Sequence, residues 1–113
     1  MTIAKLSPDF AVSEQIAPGD LAHLAAQGFR AVICNRPDGE GPGQPAFAEV
    51  AAAARAAGME AAYLPVEPGL FGMPEAADFA ELLAKLPAPV LGYCRSGARA
   101  QNLWLMSRTV QTR

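Results

Sequence analysis

Short apolar runs alternating with stretches patterned for helix constrain this chain more than any other feature. Residues 30–35, 59–65 and 89–93 read as strands, the first rich in β-branched side chains and the last apolar throughout, as a strand buried on both faces would be. A smaller run at 10–12 is predicted to be an edge strand. Helices are predicted from Pro18 to about Gln27, with Leu21, Leu24 and Ala25 at helical spacing and Gly28 as the stop, and over 46–57 before Gly58. A third helix is expected from Pro74 to Leu86, with Phe79, Leu82, Leu83 and Leu86 on one face, and a fourth from about Ala98 past Met106. Residues 36–45 hold three Gly and three Pro and must be a loop, as must 67–72. This order predicts an α/β domain with a central, mainly parallel sheet of about four strands flanked by helices. Ligands of such sheets sit at the carboxyl ends of the strands.

At 113 residues the chain is one domain, 1–113, with room for one core and one site. A net charge of −2 lacks the basic footprint of a general nucleic-acid binder, although a local pair of arginines suffices for a small anion. The first residues lack the apolar stretch of a signal peptide, and no apolar run approaches the length of a membrane span, so a soluble cytoplasmic domain is expected. Two cysteines are too few for a disulfide scaffold, and a single histidine, His23, gives no metal-ligand spacing. His23 is expected at the surface, and Leu103, Trp104 and Met106 are expected to pack.

The chemistry concentrates in Cys94-Arg95-Ser96-Gly97-Ala98-Arg99. A buried strand delivers the cysteine at its carboxyl end, and a helix starts almost at once. Backbone N–H groups and the positive end of a helix dipole would converge there and stabilise a thiolate. Arg95 and Arg99 add positive charge and bidentate anion recognition, Gly97 lets the backbone approach a ligand or take a positive φ, and Ser96 is in reach of the sulfur. The bland alternative is a buried structural cysteine beside two solvated arginines.

This loop resembles two families of cysteine enzymes. Protein tyrosine and dual-specificity phosphatases use a C-x5-R loop that cradles phosphate, whereas rhodanese-type sulfurtransferases use the shorter C-R-x-G-x-R/T. Four residues separate Cys94 from Arg99, and Ala100 stands where a phosphatase would place its arginine, so the spacing matches the rhodanese loop. The rest of the chain, through Leu6-Ser7-Pro8-Asp9-Phe10-Ala11-Val12-Ser13, residues 28–40 including Asn35-Arg36-Pro37-Asp38-Gly39, and Tyr63-Leu64-Pro65-Val66, resembles the bacterial beta-lactamase-hydrolase-like, phosphatase-like family, also called DUF442. That resemblance implies a protein-tyrosine-phosphatase-like three-layer fold and sulfur transfer, with some members fused to persulfide- or sulfide-oxidising enzymes, which implies such a partner. No cofactor or metal is implied.

The expected activity is therefore transfer of sulfur through a persulfide on Cys94, from a small anionic donor such as thiosulfate or glutathione persulfide to a thiol-type acceptor. The alternatives are a cysteine-dependent phosphatase acting on a phosphate-like ligand, and a non-catalytic anion- or persulfide-sensing module. A phosphatase needs a general acid. The resemblance points to the loop after Val66, where only Glu67 is available, and Asp38 is the other candidate, although a turn role before Gly39 is open to it. Arg36 could complete the anion site or pair with a local carboxylate. Cys34 could resolve an oxidised Cys94 or simply fill core.

Overall fold

The computed structural model describes residues 1–110, and the strand–helix alternation folds into three layers. The strands are β1 (Ile3–Ser7), β2 (Phe10–Ser13), β3 (Ala31–Cys34), β4 (Glu60–Tyr63) and β5 (Val90–Tyr93). The helices are α1 (Leu21–Ala26), entered through a 3-10 turn at Pro18–Asp20, α2 (Phe47–Ala56), α3 (Met73–Lys85) and α4 (Ala98–Ser107). The sheet order is β1-β2-β5-β3-β4, parallel except for the antiparallel β1–β2 pair.

The sheet has five strands rather than four. Residues 10–12 were expected at an edge, yet every residue of β2 is buried, because β1 covers its outer side. β1 is the true edge, with three half-buried and two exposed residues. Its Lys5 and Ser7 give it little apolar signal. What holds it is backbone pairing with β2, which composition does not reveal.

Alternating residues divide the core between the two faces of the sheet. Ala11, Val32, Cys34, Leu91 and Tyr93 meet Leu21 and Leu24 of α1 and Val50 and Ala54 of α2. Phe10, Val12, Ala31, Ile33 and Val90 meet Phe79 of α3 and Ala100 and Leu103 of α4. Phe10 and Phe79 meet edge to face at 5.6 Å, a geometry worth about 0.5–1.5 kcal/mol beyond the area buried.

This layering fixes the site. β3 leads through α2 outward to β4, and β4 returns through α3, on the opposite face, to β5, which inserts between β3 and β2. The chain thus reverses direction across the sheet between β3 and β5. At such a switch point the loops leaving the two strands diverge to opposite faces and open a crevice at their carboxyl ends. The loops after Cys34 and after Tyr93 are its walls.

Candidate active site

Cys94 follows β5 directly and is wholly buried. The chain then turns through Gly97, whose φ of +97° lies in the left-handed region, so that α4 begins at Ala98. This turn aims the Gly97 N–H at the Cys94 sulfur, 3.1 Å away. A side chain at Gly97 would also press on the Ser13 carbonyl, with a β-carbon only 3.3 Å from its oxygen. The expected strand, loop and helix N-terminus around the cysteine are all present. Ser96, expected near the sulfur, instead accepts a hydrogen bond from the Ala98 N–H at 3.3 Å.

Arg99 lies in the first turn of α4 and is only 7% exposed. Its Nη1 donates to Glu40 Oε2 at 2.8 Å and to the Val66 carbonyl at 2.9 Å, and its Nη2 donates to Glu40 Oε1 at 2.8 Å. Arg36, equally buried, donates through Nε to Glu40 Oε1 at 3.0 Å and through Nη1 to Gln15 Oε1 at 3.2 Å. Gly41 permits this approach, since a β-carbon there would stand 2.8 Å from Arg36 Nη2. One carboxylate therefore binds two guanidinium groups. Arg99 foremost, with Arg36 beside it, holds the Glu40 carboxyl down to about 2. The same contact raises the Arg99 guanidinium, burial opposes the rise, and Cys94 adds to it.

Arg36, Glu40, Glu67, Arg95 and Arg99 line a depression of about 580 Å³ at the carboxyl edge of the sheet. Ser96, Gly97 and Ala98 do not line it; they line a separate, smaller hollow of about 280 Å³ with Ser13 and Glu14. Arg95 is exposed, and its side chain takes part in no ion pair among the described residues.

The structure thus brings Cys94, Arg95, Arg99 and Arg36 to one edge and places Asp38 elsewhere. The Asp38 carboxylate accepts the Phe47 N–H at 2.8 Å and so caps the start of α2, while its own N–H donates to the Tyr63 hydroxyl at 2.9 Å. Glu40, not Asp38, is the carboxylate that meets the arginines. Its sequence signal was available but faint: a carboxylate four residues after Arg36, in a loop already assigned to the ligand edge. Cys34 faces α1 and α2, its thiol donating to the Arg36 carbonyl at 3.2 Å. Burial pushes that thiol up, as suits a protonated core residue, and both cysteines are free. His23 is exposed on α1 beside Gln27. No helix among the described residues is long and apolar enough to cross a membrane.

Residues 2–111 match the family described as beta-lactamase hydrolase-like protein, phosphatase-like domain. A beta-lactamase hydrolase-like protein of Agrobacterium fabrum is 32% identical over the whole of this chain. The chain spans 26% of that relative's length. Among solved structures, one from Neisseria meningitidis, described as a "putative phosphatase", superposes with a TM-score of 0.86 at 34% identity, over 92% of this chain and 74% of that one. A cysteine-to-serine form of P. aeruginosa TpbA, in complex with phosphotyrosine, superposes at 0.72 with 19% identity, over 96% of this chain and 62% of that one, a likeness of fold. The chain belongs to the beta-lactamase hydrolase-like, phosphatase-like domain family, and its fold is that of the protein tyrosine phosphatases.

Proposed function

We propose that this member of the phosphatase-like family is a cysteine-dependent group-transfer enzyme in which Cys94 carries the transferred group, and that the group its site suits best is sulfane sulfur. The Gly97 N–H aimed at the Cys94 sulfur carries the reading. An anionic sulfur, whether thiolate or persulfide, finds that donor in place at the start of α4.

The cycle balances without a cofactor. The Cys94 thiolate attacks the sulfane sulfur of thiosulfate or of an organic persulfide. The S–S bond of the donor breaks, and sulfite or a thiolate leaves with the electron pair. An acceptor thiolate then takes the outer sulfur of the Cys94 persulfide and regenerates the Cys94 thiolate. Neither leaving group needs a proton from the protein. That agrees with the state of the two carboxylates in the loop after β3: Glu40 is ionised between two arginines, and Asp38 is occupied at α2. Four residues between Cys94 and Arg99 also make a smaller cradle than the C-x5-R loop.

A second reading, phosphate ester hydrolysis, has the comparisons behind it: the family description and the solved relatives are phosphatase-like. An alkoxide leaving group would need an acid, and Glu67, at the rim of the depression, is the residue to supply it. Because Cys94 is wholly buried, either substrate reaches the sulfur only after side chains or loops at the edge shift. The deciding experiment compares wild type with Cys94→Ser for sulfur uptake from methanethiosulfonate and from thiosulfate, read by intact-protein mass, and for aryl phosphate hydrolysis. One sulfur gained on Cys94 and removed by cyanide supports transfer. Cys94-dependent phosphate release without sulfur uptake makes the domain a phosphatase.

A further inference from the structure

The pairing of Glu40 with Arg99 bears on which anions the site admits. Arg99 has five N–H donors. Both hydrogens of Nη1 and one of Nη2 are used by Glu40 and the Val66 carbonyl. Only the Nε side of the guanidinium is left to orient a ligand, and the charge behind it is already matched by a carboxylate. Glu40 is not poised to swing away. Its own N–H and that of Gly41 donate to Gln44 Oε1 at 3.1 and 3.2 Å, and Gln44 Nε2 donates to the Pro37 carbonyl at 2.9 Å. The loop that carries Glu40 is thus tied across its own neck, and its carboxylate is held at both oxygens.

Three arginines and two glutamates line the depression, which leaves one positive charge for a ligand to match. Each further negative charge on a ligand enters unopposed. We infer that Glu40 is a specificity-determining residue: by neutralising Arg99 it holds the site to substrates that bring a single negative charge to Cys94, with Arg95 as the cation that meets that charge. Within the covalent-transfer reading, on which this inference rests, the donor class narrows to organic persulfides and thiosulfonates, which are monoanionic at the reacting end. Dianions, thiosulfate and phosphate monoesters alike, are disfavoured.

Binding tests this apart from chemistry. Sulfate and methanesulfonate present similar tetrahedral heads with two charges and one. They are titrated against wild type, Glu40→Gln, Glu40→Asp and Arg95→Ala by amide NMR of residues 94–99. Wild type is expected to bind methanesulfonate at least as tightly as sulfate. Glu40→Gln should shift the ratio toward sulfate by about tenfold, the scale of one unscreened unit charge a few ångströms away at a partly wet site, and Glu40→Asp should restore it. Arg95→Ala, at an exposed position that does not threaten folding, should weaken both anions, methanesulfonate about tenfold and sulfate by more, because the lost cation acts on each charge of the ligand. A wild type that already prefers sulfate tenfold, a ratio unmoved by Glu40→Gln, or an Arg95→Ala variant that binds like wild type would each overturn the inference. A parallel assay offers methanethiosulfonate and thiosulfate as sulfur donors. If neither transfers sulfur while the binding ratio shifts as stated, the sulfur-transfer reading fails and charge selection stands.

Discussion

The two carboxylate oxygens of Glu40 each lie 2.8 Å from a terminal nitrogen of Arg99, fifty-nine residues further along the chain. The contact joins the loop after β3 to the first turn of α4, the two walls of the crevice opened by the reversal of the sheet. Arg36 completes it from the side. An arginine so held keeps its guanidinium in one place beside Cys94, and the geometry of the site depends on it.

Glu40 therefore contributes to stability in a pH-dependent way. Its carboxyl lies near 2 in the folded protein, below its ordinary value of 4.5. A depressed carboxylate stabilises fully above the unfolded value, and the contribution is lost as pH falls from about 4.5 toward 2. Glu40→Gln should cost about 1–2 kcal/mol at pH 7. It should also flatten the acid limb of stability against pH, measured by urea unfolding across that window. An unchanged acid limb would show that the pair is broken in solution.

Cys94→Ser should fold with wild-type stability to within about 1 kcal/mol and lose all turnover, because a serine hydroxyl forms neither a persulfide nor a cysteinyl phosphate. Intact-protein mass after donor treatment is the measurement, and a sulfur adduct surviving in the serine variant would place the nucleophile elsewhere.

Gly97→Ala should lose about 1–3 kcal/mol, since alanine is strained at a φ of +97° and its β-carbon would crowd the Ser13 carbonyl. Turnover should fall as well, because the N–H aimed at Cys94 moves with the strained turn. Thermal unfolding and kcat measured on the same preparation check both halves.

Asp38 separates a cap from a catalytic acid. Asparagine caps helices about as well as aspartate but cannot donate a proton as an acid, so Asp38→Asn should change stability by less than about 0.5 kcal/mol and leave kcat unchanged. Asp38→Ala should cost about 1 kcal/mol through the lost bond to the Phe47 N–H. A large fall in kcat for Asp38→Asn, with stability intact, would return Asp38 to the catalytic role its place in the sequence suggested.

The α/β class, strands β3, β4 and β5 and the Cys94 loop were all legible in the sequence, because each is written in neighbouring residues. The apolar run before Tyr93 marks a strand buried on both faces, and Gly97 between Cys94 and Arg99 marks a tight entry into a helix. Strand order, the edge position of β1 and the partner of Arg99 were not. They depend on backbone pairing and on which loops the crossovers bring together, and neither leaves a periodic trace in the chain. Asp38 and Glu40 show the difference most sharply. Two residues apart in one loop, they are equivalent carboxylates as sequence, but the turn at 38–46 directs the first to the N-terminus of α2 and the second to Arg36 and Arg99. Local pattern determined that a cysteine and two arginines stand together at the end of β5, whereas the charge balance around them was decided only when the sheet placed the loop after β3 against the start of α4.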